Sequence, residues 1–271
     1  MSVTLLLSDL HSNSSVALCP SDVQFTDGDG HKLSSGQYWL LDNWNKVIER
    51  ATEVSKHNTL RTIFGGDIVD GDVKDRTWQI VSRNPVTITH LCAELLDPLA
   101  KISSGGFIFI RGTEAHVGKS GNLEEMVADD FDISKSEPDT NSKLWPIFQG
   151  YIDNVKIQVS HHSSAGGLPW TRKMTAIRYA SKVIFDYAER KDRPPDLVFY
   201  GHSHLWADSY DIYQSTRCLF MPSWSLATEY VERANPGCLA DNGAIILWTE
   251  GGKYEIEKIK FVPRARIWTV L

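Results

Sequence analysis

The sequence predicts an α/β fold in which five strand-end loops meet at one rim of a sheet. Three observations carry this. Apolar runs of strand length recur along the chain, and windows of helical periodicity stand between them. Residues that suit hard cations then follow the runs, at Asp9-Leu10-His11, Gly66-Asp67-Ile68-Val69-Asp70-Gly71, Arg111-Gly112-Thr113-Glu114-Ala115-His116, Ser160-His161-His162 and Gly201-His202-Ser203-His204. In open α/β sheets, sites lie in the crevice outside the carboxyl ends of the strands, so separate loops converge there.

Val3 to Leu7 is a continuous apolar run, suited to a strand buried on both faces. Ser12 to Gly36 is polar and Gly-rich, with Asp27-Gly28-Asp29-Gly30 as turn chemistry, and reads as a long loop or small hairpin. A calcium loop does not fit there, because His31 follows and no Glu closes the twelve-residue pattern. Tyr38 to Lys56 places Trp39, Leu40, Trp44, Val47, Ile48, Ala51 and Val54 close to helical spacing. Thr62 to Phe64 makes a short strand, Thr87 to Ile102 an amphipathic helix, Phe107 to Ile110 a strand and Asn122 to Asp130 an acidic helix. Val155 to Val159 reads as a strand, and Thr171 to Arg190 as a helix closed by the breaker Arg193-Pro194-Pro195. Leu197 to Tyr200 is a strand. Cys218 to Met221, Ala244 to Trp248, Tyr254 to Ile259 and Ile267 to Leu271 make the remainder mostly β. With no internal repeat and no dividing linker, residues 1–271 are expected to form one domain.

Composition narrows the function classes. A hydrophobic fraction of 42% fills a sizeable core, and 23% charged residues suits a water-facing surface. A net charge of −6 argues against a broad electrostatic grip on nucleic acid or an anionic membrane, although bound cations reverse the sign inside one cleft. Cys19, Cys92, Cys218 and Cys238 are far apart and read as reduced core thiols. The first residues have no basic region and only a short apolar run, and no stretch approaches the roughly 20 apolar residues that span a bilayer. A cytoplasmic protein without membrane attachment is the expectation.

The five segments carry the chemistry. Carboxylates and imidazoles without cysteine favour Mn, Fe, Zn, Ni or Co over a thiolate zinc site. Alone, Asp9 and His11 would be a strand-end cap and a surface histidine, and Asp67 a turn residue; their joint occurrence in order is what argues for two divalent cations. His31, His57 and His90 have no such spacing and read as solvated or packed. Trp170, Trp206 and Trp224 read as core or rim residues near the last motifs, with base stacking as the alternative. Arg172 and Lys173 suit either a phosphate contact or an ordinary first helical turn.

These residues resemble the calcineurin-like metallophosphoesterase family, whose pattern is D-x-H, G-D-x-x-D, G-N-H-(D/E), H and G-H-x-H. The resemblance spans positions 9 to 204 as motifs. It implies a four-layer αββα sandwich, two mixed sheets flanked by helices, with a binuclear metal site at the C-terminal ends of strands. It also implies that Asp9, His11 and His204 hold one metal, that His161 and His202 hold the second, and that Asp67 bridges both. Mn is the first candidate for the pair.

The third block departs from the family. The Asn ligand is absent, and Thr113 stands in its place after Gly112, with Glu114 or water as other replacements. The family's general acid would be His116 after a two-residue insertion, oriented by Asp70. This G-T-x-x-H form resembles phage and prophage members. Arg111, Thr113 and His162 are candidate substrate contacts. Where phosphoprotein phosphatases have Arg after the second aspartate, this chain has Gly71, which argues against a protein-phosphatase specialisation.

The implied function is a phosphoesterase that hydrolyses phosphomono- or phosphodiesters, nucleotides or short nucleic acid among them, with a hydroxide activated by two metals. The alternative is a scaffold or binding module that keeps the fold without turnover.

Overall fold

The structure, a computed structural model, describes residues 1–21, 23–24, 30–71, 79–163, 169–210, 215–234 and 239–263. The expected turn at Asp27-Gly28-Asp29, the Cys238 thiol and the strand over Ile267 to Leu271 lie outside these residues.

In chain order the elements begin with β1 (Ser2–Leu7), the hairpin strands β2 (Val23–Gln24) and β3 (Gly30–His31), and α1 (Ser35–Ser55). They continue with β4 (Thr59–Phe64), α2 (Pro85–Ala100), β5 (Phe107–Ile110), α3 (Glu114–Val117), α4 (Asn122–Asp129), β6 (Leu144–Trp145) and β7 (Phe148–Ile152). The last group is β8 (Val155–Ser160), α5 (Pro169–Glu189), β9 (Leu197–Tyr200), β10 (Ala207–Asp208), β11 (Arg217–Phe220), α6 (Glu229–Ala234), β12 (Asn242–Glu250) and β13 (Lys253–Phe261).

Two mixed sheets result. One has the order β13-β12-β1-β4-β5-β6, the other β10-β11-β9-β8-β7. In the first, β1, β4, β5 and β6 run parallel, and β12 runs antiparallel to both of its neighbours, β1 and β13. In the second, β8, β9 and β11 are parallel. The motif-bearing strands within each sheet therefore end at the same rim.

Period-two alternation makes the layers. Leu5 and Leu7 of β1, Phe64 of β4 and Phe107 and Phe109 of β5 pack with Trp44, Val47 and Ala51 of α1 and with Leu95, Leu96 and Leu99 of α2. Their alternates Leu6, Ile63, Ile108 and Ile110 face the other way and meet Ile157, Val159, Leu197, Phe199 and Leu219 of the second sheet. On that sheet's far side, Val198, Tyr200, Cys218 and Phe220 pack on Ala176, Ala180 and Val183 of α5. The protein is thus an α/β sandwich, helix on sheet on sheet on helix, consistent with the metallophosphoesterase fold. Strands apolar on both faces are what such a sandwich requires.

Local chemistry sets the helix starts. Ser34 Oγ accepts from Gln37 N at 3.2 Å and Gln37 Oε1 accepts from Ser34 N at 3.1 Å. This capping box starts α1 three residues before the apolar periodicity does. Asn84 caps α2, and Pro85 occupies its first turn, where no amide hydrogen is needed. Cys19, Cys92 and Cys218 are buried free thiols, as the sequence predicts. Among the described residues, no helix is long and apolar enough to cross a membrane.

Candidate metal centre

The loops after β1 and β4 are zipped together by their backbones. Asp9 N donates to Gly66 O at 2.9 Å, His11 N to Asp67 O at 2.9 Å and Ser12 N to Ile68 O at 3.0 Å. The loops after β5 and β9 are tied in by carboxylates: Thr113 N donates to Asp67 Oδ1 at 2.6 Å, and His202 N to Asp9 Oδ2 at 3.0 Å.

Asp9, His11, Asp67, His202 and His204 all have left-handed backbone, with φ between 47° and 70°. This region is uncommon for residues with a β-carbon, and conformations of this kind cost about 1–3 kcal/mol each unless the surroundings enforce them. Each left-handed residue interrupts the strand alternation, and residues two apart in sequence then serve one centre. Gly66, at φ 93°, is needed for the same reason, and a β-carbon there would collide with the His161 ring. A β-carbon on Gly112 would sit on the Asp67 carboxylate.

Three groups of donors form among the described residues, one of them His11, Asp70 and His116. Asp9, His11 and His204 offer ligand atoms within 4.8 Å of one another, and so do Asp67, His161 and His202. In the first, His11 Nε2 lies 3.1 Å from His204 Nε2, which lies 3.2 Å from Asp9 Oδ1. Burial would raise the Asp9 carboxyl, but the neighbouring His204 overrides it and holds the group at about 2. Burial, with the charges of His116 and His204, keeps His11 neutral, at about 4. Asp9 is fully buried, and so, nearly, are His11 and Asp67.

In the second group, His161 Nδ1 is 2.7 Å from the Gly65 carbonyl, which only accepts, so Nδ1 carries the hydrogen. In the neutral ring Nε2 is then a bare lone pair, and it points at Asp67 Oδ2 from 3.0 Å. That oxygen is buried and has no hydrogen-bond partner unless His161 takes a second proton. Burial would lower His161, but Asp67 lifts it to about 10 and is itself held far below the usual carboxylate range. The short gap between Nε2 and Oδ2 is closed by a positive charge, either the second proton of His161 or a cation that displaces it. Burial and His161 push His202 down. This neutral-imidazole and carboxylate donor set fits a divalent cation.

Beside these groups, His116 Nδ1 sits 2.9 Å from Asp70 Oδ1, and the His11 and His116 ring centroids are 4.6 Å apart. The pairing expected for His116 and Asp70 is present. Thr113 Oγ1 lies 3.2 Å from both His161 Nε2 and His202 Nδ1. Glu114 turns instead to Ser120 N, at 3.5 Å. The His162 ring is 5.4 Å from His161 and 5.8 Å from His202, at the exposed edge. Arg111 does not line the cleft, and its stem lies beside Gly121.

Glu124 is the residue that motif reading misses. Buried on α4, it accepts Gly112 N at 2.8 Å and Ile68 N at 3.2 Å, and so joins the two loops that flank Asp67. Burial and the Asp67 charge raise its carboxyl to about 8. The signal available in the sequence is a carboxylate between Leu123 and Val127, on the apolar face of its helix.

A cleft of about 290 Å³ opens over the donors. His11, Asp67, Asp70, His116, His202 and His204 form its polar floor, and Leu205, Leu226, Ala227, Val231 and Ala240 form an apolar wall.

No family model matches the chain, and no curated protein matches it. Among solved structures it is similar to zinc-complexed wild-type Vps29 from Entamoeba histolytica, at 12% identity and TM-score 0.43 over 95% of this chain and 98% of that one. It is similar to a conserved uncharacterized protein, a predicted phosphoesterase, from Streptococcus pneumoniae, at 9% identity and TM-score 0.40 over 96% and 89%. It is also similar to the sulfate thiohydrolase SoxB from Thermus thermophilus in complex with glycerol, at 10% identity and TM-score 0.45 over 96% and 56%. All three scores lie below 0.5, and the chemistry of the site rests on its own side chains.

Proposed function

We propose that the chain is a metal-dependent phosphoesterase of the calcineurin-like kind, hydrolysing phosphomono- or phosphodiesters. The observation that carries this is the buried confrontation of His161 Nε2 and Asp67 Oδ2, 3.0 Å apart, beside a second group of Asp9, His11 and His204. Asp9, His11 and His204 would hold one divalent cation, and His161 and His202 a second, with Asp67 shared between them. Mn is the first choice, and Fe, Zn, Ni or Co suit the same donors. Bound there, such cations supply positive charge to phosphoryl oxygens and make water acidic near neutral pH.

The chain's own residues complete the chemistry. Hydrolysis adds water to phosphorus and breaks the bond to the leaving oxygen, which needs a proton. Asp70 accepts from His116 Nδ1 and stabilises the imidazolium, so His116 Nε2 is the atom that hands over that proton. Thr113, between His161 and His202, takes the position of the Asn ligand with a neutral hydroxyl. The apolar wall faces the substrate's leaving or flanking group and keeps bulk water from the reacting atoms.

The test is to strip the protein of metal, reload it with Mn²⁺, count bound metal and assay p-nitrophenyl and bis-p-nitrophenyl phosphate. We expect two metals per chain and turnover, with Asp67→Asn lowering both occupancy and rate, the rate by more than about 100-fold. Full occupancy in that variant would remove the bridging role. Two bound metals with no turnover on any phosphoester would leave a binding module.

A further inference from the structure

A second cavity, of about 390 Å³, adjoins the cleft. The two share a wall. His204, Leu205 and Ala240 line the cleft, and the next residues along each strand of chain, Trp206 and Asp241, line the second cavity. Asp241 N donates to His204 O at 2.9 Å, and Trp206 N donates to Asp241 Oδ2 at 2.7 Å, so the wall is braced.

Three cations, Arg172, Lys173 and Lys260, and two carboxylates, Asp208 and Asp241, line the cavity, and both carboxylates are engaged by arginine or lysine. Arg172 reaches Asp241 at 3.0 Å through Nη1, and its buried Nε has no hydrogen-bond partner among the described residues. Arg217 and Lys258 occupy Asp208. Lys173 and Lys260 have no carboxylate partner among the described residues. They rest instead on aromatic faces, Lys173 5.4 Å from the Tyr210 centroid and Lys260 5.1 Å from that of Trp206. An aromatic face steadies an ammonium but does not cancel its charge. The buried Trp206 Nε1 also lacks an acceptor among the described residues. Unspent donors and cations interleaved with rings are the chemistry that holds a phosphate with a base stacked beside it.

We infer that this cavity binds the nucleotide that flanks the reacting phosphate of a single-stranded nucleic acid, with Lys173, Arg172 and Lys260 on the flanking phosphate and Trp206 beside the base. This deepens the phosphoesterase reading and rests on it for the position of the reacting phosphate. A duplex would need a broader basic surface than a chain of this net charge offers.

The test measures binding apart from catalysis. A fluorescein-labelled eight-nucleotide oligothymidylate is titrated with metal-free protein in EDTA, and its anisotropy is followed at several salt concentrations. Lys173→Ala/Lys260→Ala should weaken binding roughly tenfold. It should also flatten the plot of log affinity against log salt by about 0.7, because one neutralised phosphate on a single strand contributes about 0.7. Hydrolysis of bis-p-nitrophenyl phosphate by the Mn-loaded variant should match the parent, since neither lysine lines the cleft. Equal affinity of variant and parent for the oligonucleotide overturns the proposal. Competition by ATP as strong as by unlabelled oligonucleotide also overturns it, in favour of a mononucleotide site. Oligonucleotide binding lost in the variant, from a parent that hydrolyses no phosphoester, sinks the phosphoesterase reading alone and leaves the cavity's ligand established.

Discussion

His116 and Asp70 form a dyad whose role separates cleanly by leaving group. An alkoxide needs the proton from His116, whereas p-nitrophenolate leaves with little help. His116→Ala should therefore cut kcat on alkyl phosphoesters by about 10²–10⁴-fold and on p-nitrophenyl esters far less. Equal loss on both would take His116 out of the acid role and leave it as support for Asp70 and for the His11 ring, 4.6 Å away. The residues that the fold gathers into these groups were legible in the sequence, because each closely follows an apolar run. Their backbone state was not. Nothing in Asp9-Leu10-His11 announces that both ends adopt positive φ, since that conformation is imposed by the hydrogen bonds to Gly66 and Asp67 across the fold.

At the scale of elements, α4 acts as a brace. It lies beside α2 and the β5 loop, and its Glu124 receives backbone hydrogens from both loops that hold Asp67. Glu124→Ala leaves two buried N–H groups without an acceptor, and should cost about 2–4 kcal/mol in chemical unfolding. It should weaken metal binding as well, with Glu124→Gln recovering part of both; unchanged metal affinity in the alanine variant would limit Glu124 to stability.

The long elements could be read from periodicity, and β5 and β9 to the residue. The short ones could not. β7 breaks its apolar pattern at Gly150, β6 and β10 are two residues each, and α3 is a single turn whose start at Thr113 has no side-chain cap. That turn is also why the third motif is spaced unusually: it carries His116 around to Asp70, three residues beyond Thr113. The placement of Lys173 and Lys260 in one cavity could not be seen at all, because it depends on α5 and β13 meeting the wall after His204.

For the whole molecule, the candidate metal centre is the junction of both sheets, so its charge state bears on stability. Without metal, His161 holds its second proton against Asp67, and its pKa is raised from about 6.5 to about 10. A group raised in this way stabilises the fold fully below its unfolded value, and that contribution is lost as pH rises through the folded one. The melting temperature of EDTA-treated protein should fall by several degrees between about pH 6.5 and pH 10. Mn-loaded protein, with a cation where that proton was, should hold its melting temperature over the same range, and a flat profile for the stripped protein would show that His161 does not carry the second proton.

The topology that builds this junction also dictates when it can exist. β1 has β12 on one side and β4 on the other, with Ser2 beside Thr249. On a ribosome adding about 5–20 residues per second, the first strand waits roughly 10–50 s for that neighbour. His202 and His204 likewise emerge long after Asp9 and His11. An unfinished chain thus exposes half of the candidate chelating site and an open strand edge together.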